Sequence, residues 1–148
     1  MNVDDALATL LSRYFAAVDD KGLDAEVVAA TFTPDGRIVR PNGETLTGRD
    51  EILARQSASF ARFRFTHHML TNHLVERDGD TARIRANMQA MHLWGDGHRD
   101  PHELVTHFVA GGVIRAVAAL TPDGWRLTEL ALRPMWRTGA SLGMMASA

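Results

Sequence analysis

The hydrophobic periodicity of this chain changes near residue 63, and that change constrains the fold more than any other feature. Before it, apolar residues recur at helical spacing, most clearly in a first helix whose apolar stripe comprises Leu7, Leu10, Leu11, Tyr14, Phe15 and Val18. After it, apolar and polar residues alternate as in β-strands, over residues 63–76, 81–94, 103–120 and 125–136. Helices followed by a run of antiparallel strands predict an α+β fold, with the helices packed on one face of the sheet.

Turn and capping signals divide the chain further. Asp4 is the expected N-cap of the first helix, and the TPDG sequence at 33–36 ends a second helix over 23–32. A short strand is expected over 37–40, and Thr47 with Asp50 resembles a capping box that opens a third helix to about Phe63.

The second half is divided in the same way. Asp78-Gly79-Asp80 predicts a hairpin, residues 95–101 a loop, and Gly111-Gly112 a bulge. No repeat or linker interrupts the chain, so residues 1–148 are expected to form a single domain, with 138–148 a mobile tail or a lid.

Composition excludes several classes of function. With 16 basic and 18 acidic residues the net charge is −2, so no basic excess exists to bind nucleic acid or an anionic membrane. No segment approaches the roughly 20 apolar residues of a membrane-spanning helix. The first residues have neither the basic start nor the cleavage site of a signal peptide, and there is no cysteine. A cytoplasmic location is therefore expected.

The strand over 83–94 places a histidine on its buried face. Its even positions are Ile84, Ala86, Met88, Ala90 and His92, and the period-two alternation turns them inward. His92 thus lies beside small residues that leave room for a cavity. Taken alone, such a histidine is more often a hydrogen-bonded core residue than a catalytic one.

The preceding strand carries His67 and His68, which must point to opposite faces. Neither face is clearly apolar, so alternation alone does not decide which of the two faces inward. An inward imidazole here would meet His92 across the hairpin. Two such imidazoles would make a plausible acid/base pair, because histidine titrates near neutral pH.

The first helix adds two polar candidates. Tyr14, the only tyrosine, lies on the apolar stripe, so its hydroxyl points toward the core and needs a partner. Asp19 lies at the edge of the stripe, near a helix C-terminus where a carboxylate is unfavourable. It is either solvated or holds an imidazolium in the cavity.

The sequence predicts no cofactor and no metal site. His68 and His73 point to opposite faces of a strand. As a set, His98, His102 and His107 lack the i, i+4 spacing of a helix, and they span a loop and the start of a strand. The chain also has no Gly-rich phosphate loop and no nucleophile elbow.

In order and spacing, the segments of this chain resemble the NTF2-like superfamily in its SnoaL-like branch, over about residues 5–137. The segments that carry the resemblance are RYFAAVDDKGLD (13–24), FTPDG (32–36), TGRDEI (47–52), THHMLTNH (66–73), VERDGDTARI (75–84), DGWRL (123–127) and LRPMW (132–136). The resemblance implies a cone of three helices wrapped by a curved, mixed or antiparallel sheet, commonly as a homodimer.

Within that branch the chain is most similar to the scytalone dehydratase and bile-acid dehydratase group. The resemblance implies catalytic roles for Tyr14, Asp19, His68 rather than His67, and His92, with Arg133 as a weaker anion-stabilising candidate. Steroid isomerases of the superfamily hold a catalytic aspartate where this chain has Arg40, so that carboxylate chemistry is excluded.

The resemblance implies a cofactor-independent lyase (a dehydratase) or cyclase that acts on a hydrophobic polyketide- or steroid-like molecule. His68 would move a proton next to a carbonyl, Asp19 would orient it, Tyr14 would stabilise the enolate and His92 would protonate the departing hydroxyl. Two alternatives stay open: a cyclase or isomerase that shapes its substrate without an acid/base pair, and a non-catalytic ligand-binding dimer domain.

Overall fold

The structure is a computed structural model that describes residues 2–95 and 107–139. The three helices are α1 (Val3–Asp19), α2 (Ala25–Thr31) and α3 (Arg49–Phe60). The six strands are β1 (Phe32–Val39), β2 (Thr45–Thr47), β3 (Phe63–Asp78), β4 (Thr81–Trp94), β5 (His107–Thr121) and β6 (Gly124–Gly139). The expected α+β architecture is confirmed.

The six strands form one mixed sheet in the order β2-β1-β6-β5-β4-β3. Strands β3 to β6 pair as antiparallel neighbours, whereas β1 pairs with β6 in parallel. The hairpin predicted at Asp78-Gly79-Asp80 joins β3 to β4, with Gly79 at a positive φ of 60°. None of the described helices is long and apolar enough to cross a membrane.

The core lies between the helices and the concave face of the sheet. The apolar stripe of α1 contributes its most buried side chains, among them Leu7, Leu11 and Tyr14 at 0% exposure. They pack against inward residues of β4 and β5 such as Ile84 and Ile114. The helical and alternating patterns therefore meet in one core, because each element buries a single face.

Several boundaries differ from the prediction. The TPDG segment is expected to form a turn between the second helix and a strand, but it lies within β1. A shift of register between Phe32 and Arg37 accommodates the exposed Pro34 and Asp35. The N-cap of α1 is Asn2, whose Oδ1 accepts from the Asp5 N–H at 2.8 Å, rather than Asp4.

Two further boundaries also differ. Gly48 precedes α3 without a side-chain cap, so the capping box predicted from Thr47 and Asp50 is wrong. Thr138 and Gly139 belong to β6 rather than to a tail, because Gly139 pairs with Phe108. The rest of the predicted tail and most of the predicted loop at 95–101 lie outside the described residues.

Candidate functional site

A cavity of about 550 Å³ opens between the helices and the concave face of the sheet. Its walls come from α1, α3, β1 and the inner face of β3 to β6. Most of the side chains are apolar, including Phe15, Phe60, Phe63 and Phe108. Among the polar ones are His68, His92 and Gln56, and Tyr14 contributes an aromatic ring with a hydroxyl. A mainly apolar cavity with a few convergent polar groups is the usual form of a small-molecule site.

His68 lines the cavity, and Asp19, which does not line it, binds the His68 ring from behind. Asp19 Oδ1 lies 2.6 Å from His68 Nδ1 and accepts from Thr66 Oγ1 at 2.8 Å, while Oδ2 accepts from the His68 backbone N–H at 2.8 Å. Three donors therefore surround a carboxylate at a helix C-terminus, where the helix dipole disfavours it. The His68 side chain is 3% exposed and that of Asp19 16%.

The same contacts determine the ionisation of Asp19 and the tautomer of neutral His68. Burial alone would raise the pKa of the Asp19 carboxyl, but the hydrogen bonds and charge of His68 and the hydrogen bond of Thr66 outweigh it and hold the pKa below its ordinary value. An ionised carboxylate only accepts hydrogen bonds, so the proton between the two groups belongs to His68 Nδ1. In neutral His68 the lone pair then lies on Nε2, which makes no hydrogen bond with the described residues.

The neighbouring His92 has a different environment. Its ring stacks on Phe108 with centroids 4.0 Å apart, contacts Phe63 at 5.0 Å and lies 5.8 Å from the His68 ring. Its Nδ1 is buried without a hydrogen-bond partner in the part of the chain that the structure describes. Burial and then the charge of His68 lower the pKa of His92 to about 4. His92 is therefore neutral at pH 7.

Tyr14 lines the cavity and is fully buried. Its ring makes edge contacts with Phe15 and Phe32, and its hydroxyl accepts from Gln56 Nε2 at 3.1 Å. Burial raises the pKa of Tyr14 to about 12, so the hydroxyl keeps its proton throughout the neutral range. Because Gln56 is a donor here, the Tyr14 proton is free to be donated elsewhere.

The structure brings together four of the five residues predicted for the site: Tyr14, Asp19, His68 and His92. His67, which alternation alone could not separate from His68, is exposed. Arg133 does not join them. It is exposed on the outer face of β6, because Leu130, Leu132 and Pro134 occupy the inward positions of that strand.

Sequence reasoning missed two groups that border the site. Gln56 follows the buried Ile52 by one helical turn on α3, a spacing that places it on the inward face. Arg137 lines the cavity only because the pairing of β5 with β6 skips Met135, which reverses the alternation after Pro134. The register shifts between Gly111 and Gly112 as predicted, but the extra residue is Met135 of β6 rather than a residue of β5.

Within residues 2–95 and 107–139, no three His, Asp or Glu side chains come together in a group that could hold a metal ion. His98 and His102 lie outside the described residues.

A sequence model described as a SnoaL-like domain matches residues 2–131. The chain belongs to the SnoaL-like domain family. Its fold is that of the NTF2-like superfamily, as the resemblance implied. That family includes dehydratases, cyclases and isomerases. No curated protein matches the chain significantly.

Solved structures agree with this fold. The Kfla4162 protein of Kribbella flavida is 28% identical, with a TM-score of 0.80 and coverage of 98% of this chain and 97% of its own. A candidate scytalone dehydratase of Novosphingobium aromaticivorans is 19% identical, with a TM-score of 0.78 and coverage of 93% and 87%. An NTF2-like superfamily protein of Salmonella enterica is 18% identical, with a TM-score of 0.76 and coverage of 95% and 96%. The last two likenesses concern the fold alone.

Proposed function

We propose that this member of the SnoaL-like family is a cofactor-independent lyase, a dehydratase or cyclase, that acts on a hydrophobic polyketide- or steroid-like carbonyl compound. One observation carries the proposal: a carboxylate-held histidine, Asp19–His68, faces a mainly apolar cavity of about 550 Å³. A paired carboxylate and imidazole in such a cavity suits proton transfer from carbon, which needs a positioned base.

In the proposed dehydration, His68 Nε2 removes the proton next to the carbonyl. The electrons of the broken C–H bond pass into the enolate, and the Asp19 carboxylate stabilises the imidazolium that forms. The Tyr14 hydroxyl donates to the enolate oxygen. The C–O bond of the β-hydroxyl then breaks, and the imidazolium of His68 returns its proton to the leaving oxygen, so that water departs and the base is regenerated.

His92 takes a different role from the predicted one. Because its pKa is about 4, it carries no positive charge at pH 7 and is a poor general acid. We assign it instead as a neutral hydrogen-bonding group at the leaving hydroxyl, within 5.8 Å of the His68 ring.

The test is turnover of a panel of β-hydroxy carbonyl polycycles and aromatic polyketides by the wild type and by His68→Ala. We expect the variant to lose about 10²–10⁴-fold in kcat/KM while circular dichroism stays unchanged. The matched control is His67→Ala, which removes an exposed imidazole from the same strand and should leave the rate as it is.

The apolar lining favours a second candidate, a cyclase that only shapes a reactive substrate. The decisive pair of variants is His68→Ala and Ala110→Phe, the latter filling the cavity from β5. If His68→Ala kept full activity while Ala110→Phe abolished it, shape would be the mechanism. Tight ligand binding without turnover of any compound would instead support the non-catalytic alternative.

A further inference from the structure

The rim of the cavity is cationic. Arg40, Arg62 and Arg137 line it, and no carboxylate of residues 2–95 or 107–139 does. The positive charge of Arg40 is paired with the carboxylate of Glu44, with 3.0 Å between Nη1 and Oε2. Arg62 and Arg137 form no ion pair with any carboxylate in the described ranges. Two guanidinium groups therefore border an apolar cavity without a counter-charge from those residues.

Both guanidinium groups lie against the aromatic residues that surround His92. Arg62 Cζ is 5.5 Å from the centroid of the Phe63 ring, and Arg137 Cζ is 5.4 Å from that of Phe108. The two rings are 5.8 Å apart and both contact His92. These two guanidinium groups, which no carboxylate of residues 2–95 or 107–139 pairs, thus lie at the His92 end of the cavity.

The direction of Arg137 depends on the bulge in β6. Arg137 pairs with Ala110, which lines the cavity, whereas Trp136 pairs with Gly111. A Cβ atom on Gly111 would lie 2.3 Å from the indole of Trp136, so only glycine admits this arrangement. Glycine at 111 leaves room for the Trp136 indole, and the extra residue in β6 brings Arg137 opposite Ala110 at the cavity.

The donors of these groups are only partly used. Arg62 donates through Nε and Nη2 to the carbonyl and hydroxyl of Ser59, which fixes its plane. Its Nη1, and the guanidinium of Arg137, make no hydrogen bond with the described residues. A planar guanidinium with unused donors matches an oxyanion, and beside an apolar wall the attraction is stronger than in water.

We propose that the substrate carries an anionic oxygen group, a carboxylate or its equivalent, which Arg62 and Arg137 hold at the rim while its apolar body extends toward His68. This assignment rests on the proposed function only in that both place the substrate in the same cavity. It narrows the substrate class to hydrophobic acids and predicts that their neutral esters bind poorly.

The experiment is a calorimetric titration of 2-naphthoxyacetate and of its methyl ester, a pair that differs in the charge and one methyl group. We expect the wild type to bind the acid at least tenfold more tightly than the ester. Arg137→Gln should bind the acid roughly tenfold more weakly than the wild type does, while its affinity for the ester stays unchanged. Arg137→Gln is the main test variant, because Arg62 also donates hydrogen bonds to Ser59. Arg62→Gln is measured as a second variant.

Arg133→Gln is the matched control, because it removes the same charge from the outer face of the same strand. It should leave the affinity for both compounds unchanged. Equal binding of acid and ester by the wild type, no binding of the acid at about millimolar concentration, or an equal loss in Arg133→Gln would each overturn the assignment.

The same titration separates this inference from the proposed function. In His68→Ala the preference for the acid should persist, since the variant keeps both arginines. If the acid binds selectively but no hydrophobic acid is turned over, the lyase proposal fails and the anion site stands. If turnover depends on His68 but is equal for acids and esters, the anion site fails and the lyase proposal stands.

Discussion

The cavity holds two histidines on neighbouring strands, and their surroundings differ in almost every respect. His68 is bound by the Asp19 carboxylate, whereas His92 is stacked on Phe108 with a buried nitrogen that has no partner among the described residues. The first environment offers the imidazole a carboxylate partner, and in the second burial lowers the pKa of His92. Side chains of one type in one cavity are therefore suited to different tasks, proton transfer at His68 and neutral hydrogen bonding at His92.

The largest effect after removal of His68 itself is expected from Asp19→Asn. Asparagine offers an amide in place of the acceptor-only carboxylate, so it no longer fixes the proton on His68 Nδ1. We expect kcat/KM to fall about ten- to hundredfold, less than in His68→Ala, because the imidazolium that forms during proton transfer loses its counter-charge.

The control for Asp19→Asn is Asp20→Asn, which neutralises the next, exposed carboxylate. Steady-state rates between pH 5 and 9 measure both variants. Equal losses in the two would mean that net charge, rather than the bond to His68, sets the rate.

A smaller effect is expected from Tyr14→Phe. The change removes only the hydroxyl, which accepts from Gln56 and has its own proton free. Turnover should fall roughly tenfold with KM nearly unchanged, as for a bond that forms mainly in the transition state. A raised KM with unchanged kcat would show that Tyr14 binds the substrate rather than the transition state.

A separate effect concerns stability at acid pH and needs no substrate. The pKa of His92 is about 4 in the folded chain, against an ordinary value of 6.5. Between these values the unfolded chain binds a proton that the folded chain does not, so the free energy of unfolding falls as the pH drops through this window. The loss from this one group is at most about 3 kcal/mol.

We therefore compare the free energy of unfolding, measured with urea, at pH 7 and at pH 4.5. It should fall less with pH in His92→Phe, which keeps the aromatic packing, than in the wild type. Asp19 does not confound this range, because its lowered pKa removes stability only below the ordinary value of 3.8. His67→Phe is the matched control, and it should follow the wild type. If the free energy of unfolding of His92→Phe fell with pH as steeply as that of the wild type, the claim that His92 is buried and neutral would be contradicted.

Much of this arrangement could be predicted from the sequence. The change of periodicity predicted the helices and the long strands. Alternation predicted the inner face for His92, because β4 pairs with β5 without a shift of register. Only the family resemblance separated His68 from His67, since neither face of β3 is clearly apolar. The homodimer that the resemblance implies stays a prediction.

What could not be predicted depends on irregular pairing. The skipped Met135 turns Arg137 inward, and no local signal in β6 marks that position. The loss of charge at His92 likewise depends on Phe63 and Phe108, which come from strands distant in the chain. Tertiary contacts, rather than local pattern, decide both.

The most direct measurement is long-range ¹H–¹⁵N NMR of the imidazole groups at pH 7, with each signal assigned by the loss of one histidine. The account predicts that His68 in the wild type carries its proton on Nδ1 and has a bare Nε2, and that Asp19→Asn abolishes this preference. It also predicts that His92 stays neutral down to about pH 4. A proton on His68 Nε2 in neutral wild-type protein, with Nδ1 bare, would contradict the claim that Asp19 prepares His68 as a base.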